Sequence, residues 1–245
     1  MKTLRAVLFF SVLAACLPLW SQQREPMASD CNCQVVRHLG YTLAYDERHE
    51  QARWVAYVLT RAEVEGEVSR KGNDRFFADS AVATQSAQPW DYGGSGYDRG
   101  HLAPAADMKW SRRAMRESFL MSNVSPQRHD FNDGVWLRAE EQVRRWAVAY
   151  DSVYIVTGPV LKAGLPKIGK ENSVSVPQMF YKVVYNPARR TGIALLIEHR
   201  ESKKPLTAFA TTIDEAERVT GIDFFPGLPN EAEIESTLCI KCWEW

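Results

Sequence analysis

Residues 41–45 (YTLAY) and 54–60 (WVAYVLT) are runs of β-branched and aromatic side chains, and the charged stretch 46–53 separates them. That pattern predicts two strands joined by a polar loop. Strand-like runs return at 153–157, 179–185, 193–197 and 209–211. The period becomes helical over 111–121, where Ala114, Met115, Ser118, Phe119 and Met121 recur at helical spacing and Ser111 stands in the capping position. A second helix is predicted over 133–150, with Trp136, Val143, Ala147 and Tyr150 as its apolar stripe. A third, over 213–220, opens with Asp214, Glu215 and Glu217, where negative charge favours a helix start. Residues 66–96 carry Gly, Ser, Ala and Asp with little periodicity and read as a long loop, a length that usually has a function. Residues 21–34 are polar and turn-rich and read as a disordered lead-in. Strands and helices mix without strict alternation, so the expected class is α+β.

The start of the chain changes the expected compartment. Lys2 and Arg5 precede an apolar run, 6–15, which is too short for a membrane-spanning helix of ~20 residues and suits a cleaved signal peptide. Two processing routes remain open. Leu13-Ala14-Ala15-Cys16 resembles a lipobox that would lipidate Cys16, while small or polar residues near Ser21 and Gln22 suit an ordinary signal peptidase. The expected organisation is a signal peptide over 1–22, a lead-in over 23–40 and one domain over 41–245. The protein would be exported, periplasmic or secreted, with a lipid-anchored membrane form as the alternative. A 45% hydrophobic, 11% aromatic composition suffices for one substantial core.

Outside the leader, Cys31 and Cys33 lie near one end and Cys239 and Cys242 near the other. In an oxidising compartment an even count favours disulfides, which would staple the termini together if they joined the two ends. A four-thiolate zinc site is the alternative, because Cys239 and Cys242 have ligand spacing while Cys31 and Cys33 do not. With 30 basic and 30 acidic side chains the formal charge is zero, so any affinity for a polyanion must come from local clusters.

One such cluster carries chemistry. His101 lies in Asp98-Arg99-Gly100-His101, and downstream come Ser122-Asn123, Pro126-Gln127, Asn132, Gly134, Trp136, Glu140 and Arg144. An isolated histidine is ordinarily structural; here its company points to phosphodiester cleavage, which needs a base, positive charge on the phosphorane and help for the leaving oxygen. On a regular helix 132, 136, 140 and 144 would form one ridge. Asn132 and Glu140 would then stand about 12 Å apart along the axis at ~1.5 Å per residue. Direct contact of both with one metal would be strained, so Glu140 is expected to act through metal-bound water or to pair with Arg144.

These motifs, in this order, resemble the DNA/RNA non-specific endonuclease family with the ββα-metal active site. The likeness is dense over 97–144 and extends loosely from Tyr41 to about Gly227, through WVAY at 54–57, YIVTGP at 154–159, VPQMFYKV at 176–183 and TGIDFFPG at 220–227. It implies an α+β fold whose mixed or antiparallel central sheet, with packed helices, carries the ββα motif. It also implies His101 as general base, Asn132 as direct ligand of a hydrated magnesium (manganese being the alternative), and Glu140 as holder of the metal waters. Arg99 would bind the scissile phosphate, Arg144 would assist, Arg75 would be a further phosphate-site arginine, and Asn123 would orient the loop. The substrates would be DNA and RNA, bound through phosphate and sugar and cut to 5′-phosphate and 3′-hydroxyl ends. No stable protein partner is implied. Lys109, Arg112, Arg113 and Arg116 could track the backbone beside the site. A binding protein without activity would be expected to lack His101 or Asn132, and a two-metal phosphatase to show several Asp and His ligands; neither pattern is present.

Overall fold

The computed structural model describes residues 25–245, so the leader and the lipobox at Cys16 lie outside the described residues. In chain order the strands are β1 (Met27–Ala28), β2 (Gln34–Arg37), β3 (Thr42–Asp46), β4 (Gln51–Thr60), β5 (Asp98–His101), β6 (Val124–Gln127), β7 (Ser152–Pro159), β8 (Lys167–Ile168), β9 (Val174–Ser175), β10 (Met179–Asn186), β11 (Thr191–Glu198), β12 (Ala210–Thr211) and β13 (Ile222–Asp223). The α-helices are α1 (Arg61–Val64), α2 (Arg112–Glu117), α3 (Leu137–Ala149), α4 (Ile213–Thr220) and α5 (Glu231–Ser236). Seven strands form the central sheet in the order β12-β11-β10-β7-β4-β3-β2, and every pairing in it is antiparallel. The α+β class and the antiparallel sheet are therefore as expected.

Both faces of this sheet are covered, which explains why β4, β7 and β10 read as nearly continuous apolar runs. Strand alternation divides them. Val55, Tyr57 and Leu59 join Phe180, Val184, Val143, Trp146 and Ala147 in the core under α3, whereas Trp54, Ala56, Tyr181 and Val183 join Ile213, Ala216 and Ile234 under α4 and α5. The β5–β6 hairpin lies with α3 on the first face and builds the ββα unit.

Several boundaries depart from the sequence reading. The chain joins the fold before residue 41: β2 is an edge strand of the main sheet, and β1 pairs with β13. Polar side chains are compatible with an edge strand, where one side of the ladder faces water. Helix α2 keeps its Ser111 cap but ends at Glu117. The helix expected over 133–150 is divided: residues Phe131–Trp136 are wound as a π-helix in which Gly134 leaves helical geometry (φ −111°, ψ −110°), and regular α-helix begins at Leu137. Four-residue steps therefore do not run unbroken from Asn132 to Arg144.

The four cysteines form the expected disulfides, and the pairing left open by the sequence is decided here. Cys31 bonds to Cys33 and Cys239 to Cys242, so each disulfide closes a local turn, the termini are not stapled to each other, and no four-thiolate zinc site remains. The C-terminal segment is held by packing instead: Trp243 and Trp245 lie 4.6 and 5.1 Å from Trp146 between ring centroids, and Gln142 Nε2 and Trp146 Nε1 both donate to the Glu244 carbonyl at 2.6 Å.

Candidate active site

The β5–β6 register sets Asp98 opposite Gln127 and His101 opposite Val124. A side chain at Gly100 would collide with Gln127, so the hairpin needs glycine there. Asn123 locks the segment after His101. Its Oδ1 accepts from Ala103 N at 2.9 Å, and its Nδ2 donates to the carbonyls of Ala103 and Ser118 at 2.8 Å. Asn123 is fully buried, and Trp136 Nε1 donates to the His101 carbonyl at 3.2 Å, so the backbone carrying His101 is tied from two directions. The imidazole sits between Phe76 and Phe119, with centroids at 5.3 and 4.8 Å. Its Nε2 is buried with no hydrogen-bond partner among the described residues. Burial, with a smaller contribution from the Arg70 guanidinium, pushes its pKa down to about 3, so the ring is neutral near pH 7.

Asn132 is positioned by Asp98, whose Oδ2 accepts from Asn132 Nδ2 at 3.0 Å and meets His129 Nδ1 at 2.9 Å. Hydrogen bonding to that carboxylate raises the pKa of the exposed His129. With its NH₂ group committed to Asp98, the Asn132 amide has its carbonyl oxygen free of hydrogen bonds among the described residues.

The floor of the site is a buried charged group. Asp107 accepts from Tyr57 OH at 2.7 Å and from Arg144 Nη1 at 2.9 Å. Arg144 thus pairs with Asp107, which corrects the expected pairing with Glu140: the two lie on one helix, but the Asp107 carboxylate supplies the short contact. Glu140 is buried and makes no hydrogen bond or ion pair among the described residues. Lys182, from the middle of β10, is 1% exposed; its Nζ donates to Thr157 Oγ1 at 3.2 Å and lies 4.0 Å from the Trp136 ring centroid. Burial raises the Glu140 carboxyl and lowers the Lys182 ammonium, and each charge opposes the other's shift. Burial also raises Asp107, and here it outweighs the opposing effect of Arg144.

His101, Asn132, Glu140, Arg144, Arg99 and Arg70 line one cavity of about 700 Å³. Arg99 is held by the Pro89 carbonyl, to which Nε and Nη2 donate at 3.2 and 3.1 Å. Asn123 stands behind the cavity as a brace. Arg75 does not line this cavity but a neighbouring one, and Arg70, from the same loop, occupies the cavity in its place. Lys109 also lines the cavity, whereas Arg113 pairs with Glu117 at 2.6 Å. Sequence reasoning missed Arg70, Asp107 and Lys182. Of these, Lys182 left a signal: a lone cation inside the apolar run of β10.

The uncommitted oxygens of Asn132 and Glu140 are hard donors, few in number, which fits a magnesium-like cation that retains most of its water.

The model of the DNA/RNA non-specific endonuclease family matches residues 24–231. Human mitochondrial endonuclease G is 35% identical over 202 residues, covering 77% of this chain and 68% of that one. The nuclease of Serratia marcescens is 32% identical over 221 residues, covering 85% and 80%. Human mitochondrial nuclease EXOG is 32% identical over 219 residues, or 81% of this chain, but the match spans only 59% of that relative's length. Among solved structures, an EndoG/EndoGI complex aligns with a TM-score of 0.74 at 31% identity, over 80% of this chain and 86% of that one. A sequence match across most of the chain and a shared fold lead to one assignment: this chain belongs to the DNA/RNA non-specific endonuclease family.

Proposed function

We propose that this chain is an exported, divalent-metal-dependent endonuclease that hydrolyses phosphodiester bonds of DNA and RNA with little sequence preference, leaving 5′-phosphate and 3′-hydroxyl ends. The observation that carries this reading is the meeting, in one cavity, of a neutral histidine, an oriented asparagine amide and three arginines.

His101 accepts the proton of the attacking water, because burial keeps its ring uncharged and two aromatic rings hold its plane. Arg99 and Arg70 bring positive charge to the phosphate as it becomes a phosphorane. Asn132 would hold the cation directly and Glu140 through its water. Bound there, magnesium, or manganese as the alternative, would supply Lewis-acid charge to the phosphate and the departing 3′ oxygen. Asp98 acts through Asn132, Asn123 acts through the His101 backbone, and Arg144 braces the floor through Asp107 while facing the same cavity. Contacts to phosphate and sugar would account for that weak sequence preference.

Export rests on the leader read from Lys2, Arg5 and the apolar run 6–15, and two disulfides suit an oxidising compartment. Incubation of the purified protein with plasmid and with RNA, with and without a chelator, tests the activity. Cleavage of both polymers that the chelator stops is the expected result; no cleavage of either would overturn the reading.

A further inference from the structure

Beside the catalytic cavity lies a second one of about 650 Å³, and Phe76 lines both. Its wall carries Arg75, Arg116 and Trp90 and no acidic side chain, a local excess of two positive charges on a chain whose formal net charge is zero. Neither arginine enters an ion pair among the described residues; Arg116 instead lies 5.4 Å from the Phe77 ring centroid.

Trp90 is 55% exposed. One exposed apolar side chain is ordinary in itself; the backbone beneath this one is not. Trp90 belongs to the 3₁₀ turn Pro89–Tyr92, and its neighbour Asp91 accepts hydrogen bonds from the backbone of Lys170, Glu171 and Asn172, from Asn172 Nδ2 and from Gln88 N, all between 2.8 and 3.2 Å. The Pro89 carbonyl is the acceptor for Arg99. A solvent-exposed tryptophan on a hydrogen-bonded turn is thus joined through one residue to Arg99 of the first cavity.

We infer that this second cavity is a nucleotide subsite, in which a base of the substrate strand flanking the scissile bond stacks on Trp90 while Arg75 and Arg116 meet the adjoining phosphates. The inference rests on the nuclease reading for the identity of the strand. An aromatic face beside unpaired cations is the arrangement that holds single-stranded nucleic acid without reading its sequence. Because the turn is already fixed, stacking needs little further ordering of the protein. Arg75, displaced from the catalytic cavity, here acquires a phosphate-binding position.

Binding of a fluorescently labelled 12-nucleotide oligothymidylate by the full chain, measured in chelator so that no turnover occurs, tests the subsite independently of cleavage. Trp90→Ala should weaken binding by roughly 5- to 150-fold, the range for loss of one stacked base, and Trp90→Phe should retain most of the affinity. Arg75→Ala and Arg116→Ala should each reduce the slope of log affinity against log salt by about 0.7. In magnesium, the Trp90→Ala loss should appear in KM and not in kcat. Binding by Trp90→Ala within twofold of the parent, equal losses for the Ala and Phe variants, or no binding by the parent would overturn the subsite. A parent that binds the strand yet cuts neither plasmid nor RNA would overturn the nuclease reading and leave the subsite standing.

Discussion

Asp98 Oδ2 accepts a hydrogen bond from Asn132 Nδ2 at 3.0 Å, joining the start of the β5–β6 hairpin to the distorted turn that leads into α3. The bond settles which end of the amide is available: the NH₂ group is taken, so the carbonyl oxygen faces no competing donor among the described residues. On the proposed reading of the site, Asp98 is a positioning residue. Loss of such a partner typically costs 10- to 100-fold in metal affinity, on the order of the values for outer-shell groups elsewhere. Asp98→Ala should therefore raise the magnesium concentration for half-maximal cleavage by about that factor. An unchanged magnesium titration would show that the amide needs no orientation.

His101 links the site to acid stability. Its folded pKa is lowered to about 3, while an unfolded histidine titrates near 6.5. Between those values the unfolded chain binds a proton that the folded one does not, so the unfolded state gains as pH falls. His101→Gln should flatten the decline in urea midpoint between pH 7 and pH 4.5, measured in metal-free buffer, and should abolish cleavage. An unaltered decline would mean that His101 is solvated in the native state.

Lys182 has a different task from the arginines of the cavity, since it lies in the sheet beneath them. Removing one member of a buried charge group leaves the rest uncompensated, at a cost of about 3–5 kcal/mol. Lys182→Met should destabilise the protein by an amount in that range, and adding Glu140→Gln should recover part of it, as read from denaturant unfolding. No recovery in the double variant would place the partner of Lys182 elsewhere.

Arg70 and Arg75 should separate in kinetics. Arg70 shares one cavity with His101, and loss of one charge-stabilising donor costs about 10²–10³ in kcat. Arg70→Ala should fall by that order in kcat, whereas Arg75→Ala should act on KM. The reverse pattern would restore Arg75 to the scissile phosphate.

That His101, Asn132 and Glu140 would come together was legible in the sequence because they lie within forty residues, in motifs whose spacing is set by one hairpin and one helix. The α+β class was legible for a similar reason: the periods of β4, α3 and β10 are local properties of side-chain order. That Arg70 and not Arg75 lines the cavity of His101 was not, because both belong to an aperiodic loop whose course is set by contacts such as the Phe77–Leu120 bridge. The pairing of Arg144 with Asp107 across 37 positions, the burial of Lys182 under Trp136, and the closing of each disulfide within its own turn likewise depended on the folded chain. By itself, then, the sequence determined which chemical groups are present and which strands and helices carry most of them. Tertiary structure decided which charges meet, because electrostatic partners are chosen by distance and burial in three dimensions, and spacing along the chain reports neither.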